Sequence, residues 1–202
     1  MKTNKILGLF FFSSIIFIPL RSQMPYQELR DQLYEQILDD DLTDEMVGYA
    51  REKNLINSPL DESGILPLVG AINAIAPKQV EKLIQYGADV NKTDKHGFSP
   101  LMYAVKNQSV PLIEMLLKHH ANVNIDDIKG NTPLMLALKN DNLEIARLLA
   151  MDPKIDVTKR NTENLFRAED IALEALKNEA NSSKREALKD IINILRNKAA
   201  SL

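Results

Sequence analysis

Histidines and nearby carboxylates are the first candidates for chemistry in this chain of 202 residues. His119 and His120 lie near Asp126 and Asp127 in the sequence, a combination that could coordinate a metal ion. Adjacent residues of a helix, however, point about 100° apart, so they do not converge on one ion as an i, i+4 pair does. We therefore predict no metal site, and we expect His96, which lies in a turn, to be a solvent-facing contact residue rather than a base.

Other classes of catalytic or ligand-binding motif are missing from the sequence. The chain has no cysteine, which excludes disulfides, thiolate zinc sites and cysteine nucleophiles. It has no glycine-rich phosphate loop, and the run Asp39-Asp40-Asp41 lacks the alternating oxygen spacing of a calcium loop. With 25 basic and 28 acidic residues, the net charge of −3 gives no footprint for nucleic acid. We predict no catalysis, no cofactor and no nucleic-acid partner.

The segment 1–22 has the pattern of an export signal. Lys2 and Lys5 precede an apolar run from Ile6 to Leu20, which has the length of a signal-peptide h-region. The run is shorter than the roughly 20 residues that a membrane span needs. We therefore expect 1–22 to be a signal peptide that is cleaved, and the chain to be exported as a periplasmic or secreted protein. No Ala-x-Ala cleavage motif is present, so an uncleaved membrane anchor at residues 6–20 is the alternative.

A repeat with a period of 33 organises the middle of the chain and would position its candidate side chains. Three residue types recur at this interval in one register: Gly64, Gly97 and Gly130, then Pro67, Pro100 and Pro133, then Ala71, Ala104 and Ala137. Glycine supplies the positive φ of a tight turn, and Ser99 or Thr132 can cap a helix that begins at the following proline. Each unit is predicted to be a turn followed by two apolar helices, which bury their faces only by stacking on neighbours.

The repeat unit resembles the ankyrin-repeat family. The middle unit begins Asp94-Lys95-His96-Gly97-Phe98-Ser99-Pro100-Leu101, similar to the family pattern D-x-x-G-x-T-P-L, and Gly87-Ala88-Asp89-Val90-Asn91 matches the family's ending. The resemblance implies an all-α solenoid of about five stacked helix pairs with short projecting turns. The implied organisation is a diverged N-terminal capping unit at 23–61, three clear repeats within 62–159 (about 61–93, 94–126 and 127–159) and a C-terminal capping helix pair at 160–202.

Departures from the family pattern predict a stack less stable than a consensus array. Leu66 stands where a capping Ser or Thr is usual, and His120 takes a helix-ending glycine position, where a left-handed backbone costs about 1 kcal/mol or more. The third unit ends one residue late, which indicates an insertion near Met151 to Lys154. In the C-terminal unit, the polar stretch from Lys177 to Arg185 predicts an inter-helix loop longer than the family's.

The resemblance also implies a concave binding face made of the turns and the first helix of each pair. The chain is expected to be a monomer that binds another protein through this face. The implied contact positions are Glu62, Ser63, Ile65, Asn73 and Ala74 in the first clear repeat, Lys95, His96, Phe98, Lys106 and Asn107 in the second, and Ile128, Lys129, Asn131, Lys139 and Asn140 in the third. Phe98 and Ile128 are the candidate anchors, since hot spots favour large side chains ringed by polar neighbours. Either side chain could instead fold back over its own repeat.

Three alternatives to a general protein-binding module stay open at this point. One is a repeat protein with a cryptic enzyme activity or metal site, although the sequence offers no nucleophile–base pair to support it. The chain could be an inhibitor or immunity-type protein that blocks one enzyme, in which case it would have a single stoichiometric partner. It could also be a scaffold tethered to a membrane by residues 6–20, if the N-terminal segment is not cleaved.

Overall fold

The computed structural model describes residues 25–61 and 64–201, and within them it contains ten α-helices and no strand. The helices are α1 (Tyr26–Leu38), α2 (Asp44–Glu52), α3 (Pro67–Asn73), α4 (Pro77–Gln85), α5 (Pro100–Lys106), α6 (Val110–Lys118), α7 (Pro133–Lys139), α8 (Leu143–Met151), α9 (Ala168–Asn178) and α10 (Ser182–Ala200). The predicted signal peptide, the alternative anchor at 6–20 and the predicted contact residues Glu62 and Ser63 lie outside the described residues.

The helices form five consecutive antiparallel pairs that stack in one direction. The first helices contact one another in the series α1, α3, α5, α7 and α9, and the second helices contact across the stack from α2 to α4, from α4 to α6 and from α8 to α10. Each pair therefore packs mainly on the pair before it and the pair after it, as expected for a repeat protein. The predicted all-α solenoid of five helix pairs is confirmed.

Alanine at one repeat position allows the first helices to approach closely. Ala71, Ala104 and Ala137 are all fully buried, and Ala172 continues the series in α9. Met102 and Met135, which share the repeat position just after the helix-starting Pro-Leu pair, are also buried, at 0% and 1% exposure. The continuous core is thus built from small and aliphatic side chains, which suits closely stacked helices.

The sequence signals at the start of the first helices act as predicted. The Ser99 Oγ accepts a hydrogen bond from the Met102 N–H, and the Thr132 Oγ1 accepts one from the Met135 N–H, each at 3.3 Å. Leu66 offers no such bond, so α3 begins without a side-chain cap. Such a cap contributes on the order of 1 kcal/mol, which the first clear repeat therefore lacks.

Glycine is required in two turns for both its backbone and its size. Gly97 and Gly130 have φ values of +77° and +73°. A Cβ atom at Gly97 would lie 3.0 Å from the Cα of Asp127, and one at Gly130 would lie 3.0 Å from the Cα of Asn161. Each turn thus packs directly against the main chain of the next turn, at a distance that only glycine allows.

The last helix pair corrects one expectation. The predicted long loop at 177–185 is wrong, because α9 ends at Asn178 and α10 begins at Ser182. The Asn181 side chain caps α10 by accepting a hydrogen bond from the Lys184 N–H at 3.1 Å. A polar sequence that could serve as a loop is therefore mostly helix.

Extra residues near the third repeat lie in loops rather than helices. Helix α8 ends at Met151, in register with Gln85 and Lys118 at the ends of α4 and α6. The predicted insertion therefore falls after the helix. The next first helix, α9, begins at Ala168 rather than at position 166, where the register of the helix-starting prolines would place it.

Candidate functional site

Successive turns of the stack are joined by main-chain hydrogen bonds. The Ile128 N–H donates to the His96 carbonyl oxygen at 3.1 Å, and the Thr162 N–H donates to the Lys129 carbonyl oxygen at 2.8 Å. These bonds hold the turns before α5, α7 and α9 side by side. We define the turn face as these turns (residues 95–98, 128–131 and 162–166) together with the exposed sides of α5, α7 and α9.

Each turn is shaped by a side-chain oxygen at its base. The Asp94 Oδ1 accepts hydrogen bonds from the N–H groups of His96 and Phe98, both at 2.8 Å. Asp127 repeats the arrangement one unit later, accepting from two N–H groups at 2.9 and 2.8 Å. When the turn before α3 is counted as the first, the turn before α9 is the fourth. Asn161 takes the same place in this fourth turn, where its Oδ1 accepts a hydrogen bond from the Phe166 N–H at 3.0 Å. The aspartates are therefore used to build the turns.

Tyr103 ties helix α5 to the turn that precedes it. Its hydroxyl donates to the Asp94 Oδ2 at 2.7 Å. Burial and this hydrogen bond raise the pKa of Tyr103 to about 12. Burial alone would raise the pKa of Asp94, but the hydrogen bonds from Tyr103 and from main-chain N–H groups lower that pKa below its ordinary value. The pair is a neutral phenol bound to a carboxylate, a stabilising arrangement.

The two candidate anchors occupy different environments. Phe98 packs edge-on against Tyr103, with ring centroids 5.6 Å apart and an angle of 65° between the planes. It thus folds back over its own repeat, as the alternative interpretation had it. Ile128 is 69% exposed at the tip of its turn. A large aliphatic side chain held in solvent by a rigid turn is a suitable anchor for a partner.

Asn131 is not a surface residue, which corrects the sequence expectation. It is only 3% exposed. Its Nδ2 donates to both carboxylate oxygens of Asp127, at 3.2 and 3.1 Å, and its Oδ1 accepts from the Lys139 Nζ at 2.7 Å. The Asp127 carboxylate needs hydrogen-bond donors at the base of the turn. Because the Asn131 amide supplies them, it cannot contact a binding partner.

Polar residues at the ends of the first helices mainly join one repeat to the next. The Asn107 Nδ2 donates to the Ile72 carbonyl oxygen at 3.1 Å and to the Asn73 Oδ1 at 3.2 Å. Asn107 is half-buried as a result, as are Ile65 and Ala74 in the preceding repeat, whereas Asn73 is exposed. These residues contribute less free surface than the sequence predicted.

Besides Ile128, four of the predicted contact residues keep exposed side chains on the turn face. Lys95, His96, Lys106 and Asn140 are exposed. Neither Lys95 nor Lys106 makes a side-chain hydrogen bond or ion pair with any residue that the structure describes. These charged groups can therefore meet a partner without first breaking a contact within the chain.

Lys129 and Lys139 share a carboxylate that sequence reasoning missed. The Lys129 Nζ lies 2.8 Å from the Glu163 Oε1, and the Lys139 Nζ lies 3.1 Å from the Glu163 Oε2. The hydrogen bond to Glu163 raises the pKa of Lys129, and the hydrogen bonds from Lys129 and Lys139 lower the pKa of Glu163. Nothing in the spacing of these residues indicated that the fourth turn reaches back over the third repeat.

Two further residues of the turn face were missed although a signal existed. Tyr103 and Leu136 are half-buried on α5 and α7, at equivalent repeat positions shortly after the helix-starting prolines. Their shared register was visible in the sequence. Both side chains pack against the buried core and keep part of their surface exposed.

An open pocket of about 370 Å³ lies beside α9, at the C-terminal end of the stack. It is lined by Phe166, Asp170, Leu173, Glu174, Lys177 and Asn178. Asp170 accepts a hydrogen bond from the Arg167 N–H at 2.9 Å and so helps to begin the helix. The sequence did not indicate this pocket, because the C-terminal unit departs from the regular register of the repeats.

The histidine pair considered at the outset does not gather a metal-binding set. The His119 Nε2 lies 3.0 Å from the Glu81 Oε2, and this hydrogen bond is the main cause of the lowered pKa of Glu81. Across residues 25–61 and 64–201, no group of three or more histidines and carboxylates converges as metal ligands would. His119, the residue that follows α6, instead links the end of that helix to Glu81 of α4.

The helices also differ from membrane spans. In the part of the chain that the structure describes, none of them combines the length and the apolar character needed to cross a bilayer.

The stacked helix pairs and hydrogen-bonded turns define a class of protein, the helical repeat proteins, which use an extended surface for binding. A family model described as ankyrin repeats (3 copies) matches residues 68–161. This part of the chain is thus similar to an array of ankyrin repeats, and arrays of this kind are generally protein–protein interaction modules. A comparison with curated proteins finds no significant match.

Proposed function

We propose that this chain is an exported module that binds another protein through the turn face and performs no catalysis. The observation that carries the proposal is Ile128, 69% exposed between the exposed residues Lys95 and His96 on one side and Lys129 on the other. An aliphatic anchor surrounded by charged groups is the usual anatomy of a binding hot spot and its rim.

Export is the part of the proposal that rests on residues 1–22 alone. The positive start and the short apolar run support a signal peptide rather than a membrane span. N-terminal sequencing of the protein from its native organism tests this point. A mature chain that begins near Gln23 supports export after cleavage, whereas a chain that begins at Met1 supports the tethered alternative.

Binding is tested by using the mature chain as bait in an extract of the native organism. Captured proteins would be compared among the unchanged chain, an Ile128→Ala variant and a Lys118→Ala control. Lys118 is exposed on α6, a second helix, and lies away from the turn face. We expect a protein retained by the unchanged chain and the control but reduced at least several-fold by Ile128→Ala. Equal capture by all three would contradict the proposal.

The same experiment separates the module from the enzyme-inhibitor alternative. One captured protein in a fixed stoichiometric ratio would favour an inhibitor, and several partners at variable ratios would favour a general module. Size-exclusion chromatography of the purified chain with light-scattering detection then tests the expected monomer.

A further inference from the structure

Acidic residues are absent from the first helices of the central repeats and from the turn tips before them. No aspartate or glutamate occurs in residues 64–80, 95–113 or 128–140, although the chain has more acidic than basic residues. These segments contain α3, α5 and α7. The exposed charged residues that they contribute to the turn face are Lys95, Lys106, Lys129 and Lys139. The part of the turn face that α5, α7 and the turns before them form is thus electropositive in a chain whose net charge is −3.

The carboxylates beneath this surface do not cancel its charge at the tips. Asp94 and Asp127 lie at the bases of the turns, where their oxygens accept hydrogen bonds from main-chain N–H groups. Asp127 is 8% exposed. Among the residues that the structure describes, the acidic side chain that reaches Lys129 and Lys139 is Glu163, which the fourth turn supplies.

Glu163 shows how this surface holds a carboxylate. Its two oxygens bind one lysine from a turn, Lys129, and one lysine from the end of the following helix, Lys139. Lys139 is also held by the Asn131 Oδ1 at 2.7 Å. A turn residue and a helix residue of one repeat therefore form a two-point carboxylate contact, with the carboxylate provided by the neighbouring turn.

The preceding repeat has the hydrogen-bond donors of this arrangement and lacks its carboxylate. His96 and Lys106 occupy the repeat positions that Lys129 and Lys139 occupy one unit later, and Phe98 stands in place of Asn131. Glu163 is the second residue after Asn161, the side chain at the base of the fourth turn. The second residue after Asp127, at the base of the third turn, is Lys129, so the third turn has no carboxylate at the equivalent position. Lys106 consequently has no side-chain hydrogen bond or ion pair with any described residue.

We propose that the partner presents an acidic segment whose carboxylate binds Lys106 and His96 as Glu163 binds Lys139 and Lys129. An apolar side chain of the same segment packs on Ile128, whose main chain is hydrogen-bonded to His96. The occupant of the turn face is therefore an acidic polypeptide with an aliphatic or aromatic residue, selected by charge complementarity. This inference rests on the proposed protein-binding function and specifies the chemistry of the partner.

Selection from a random peptide library displayed on phage tests the inference with the full mature chain as target. We expect the selected peptides to be enriched in aspartate and glutamate. For a selected acidic peptide made synthetically, Lys106→Ala should weaken binding about tenfold, because a hydrogen bond to a charged group is lost. The matched control Lys118→Ala, on the second helix of the same repeat, should change binding by less than about twofold.

A gain of binding provides a second test that a folding defect cannot imitate. Glu163→Gln removes the internal carboxylate charge and frees Lys129 and Lys139, so it should tighten binding of the acidic peptide about threefold. Selected peptides without an acidic bias, or an unchanged affinity in both Lys106→Ala and Glu163→Gln, would overturn the inference while leaving the binding function intact. If the library yields no peptide and the bait experiment no Ile128-dependent protein, the proposed function fails as well.

Discussion

At the scale of single residues, the turns depend on a few polar groups that are held by several hydrogen bonds each. Asp94 is the centre of one such group, since it accepts hydrogen bonds from two main-chain N–H groups and from the Tyr103 hydroxyl. Phe98 packs on the ring of the same tyrosine. The result is a turn that is held rigidly against α5, which positions the exposed residues beside it.

Removal of the Tyr103 hydroxyl should destabilise the chain. Tyr103→Phe keeps the ring contact with Phe98 but leaves the Asp94 Oδ2 without its donor, and we expect the free energy of unfolding to fall by about 1–2 kcal/mol. Urea unfolding followed by circular dichroism measures the change. Tyr86→Phe is the matched control, because Tyr86 is also half-buried but makes no side-chain hydrogen bond with a described residue. Equal losses in the two variants would contradict this role for the hydroxyl.

The same tyrosine should make the chain sensitive to alkaline pH. The folded pKa of Tyr103 is about 12 and its ordinary value is 10.0, so the folded state keeps a proton that the unfolded state loses. This stabilisation is fully present below pH 10 and is lost as the pH rises towards 12. We expect unfolding free energies measured between pH 9 and 12 to fall more steeply for the unchanged chain than for Tyr103→Phe. Parallel curves would rule out this linkage.

At the scale of elements, the unit of construction is the turn that packs on the next turn. The hydrogen bonds between successive turns and the close approach at Gly97 both depend on main-chain atoms, so side chains at the tips are free to vary. This division explains why Ile128 and Lys95 can be exposed without loss of core contacts. Recognition residues can change while the stack is kept.

Two glycine substitutions separate backbone strain from close packing. Gly64 and Gly97 both have positive φ, but a Cβ atom at Gly64 would meet nothing within 4 Å, whereas one at Gly97 would meet the main chain of Asp127 at 3.0 Å. Gly64→Ala should cost about 1 kcal/mol of stability from strain alone. Gly97→Ala should cost about 1–3 kcal/mol more, because the turns must move apart. Chemical unfolding of both variants measures the difference, and equal costs would show that the turns do not press on one another.

The sequence predicts those features of the helices and turns whose residues recur at the repeat interval, and it does not predict the features that occur once. The repeat interval, the caps at Ser99 and Thr132 and the left-handed backbone at His120, with φ of +64°, were all predictable because the same positions recur. The contact of Glu163 with the third repeat and the helical state of residues 182–185 were not. Both arise in the C-terminal unit, where inserted residues break the register and a single asparagine cap decides where a helix begins.

In the candidate site, too, the features that follow from repeat positions were predictable and the others were not. Exposure of Ile128, Lys95 and Lys106 follows from repeat positions that the core does not need. Burial of Asn131 could not be seen from its position, because it depends on which donor the Asp127 carboxylate finds. Contacts between polar side chains in neighbouring turns are set by three-dimensional geometry, and a sequence pattern contains little information about them.

At the scale of the whole molecule, stability should come from interfaces between neighbouring pairs. The last pair covers α7 and α8 with α9 and α10, and ion pairs such as Arg147 with Asp190, at 2.7 Å, lie along the same boundary. Exposed ion pairs of this kind contribute little, so the apolar contact is the larger contribution. Removal of the pair would expose an apolar face that no other described element covers.

A truncation tests this dependence. A chain that ends at Lys159 lacks α9 and α10, and we expect it to unfold at a lower temperature and to associate through the exposed face, as uncapped repeat arrays do. Thermal unfolding and light scattering measure the two effects. A chain that ends at Ala200 is the control and should behave like the full chain. An unchanged melting temperature after truncation at Lys159 would contradict stacking as the source of stability.

The most direct test of binding through the turn face is a site-specific cross-link to the protein that it binds. A photoreactive amino acid would replace Ile128 in one chain and Lys118 in another, and both would be irradiated in an extract of the native organism. We predict a discrete cross-linked partner from position 128 and none from position 118. Cross-links of equal yield from both positions, or a partner captured from position 118 alone, would contradict the assignment of the turn face as the binding surface.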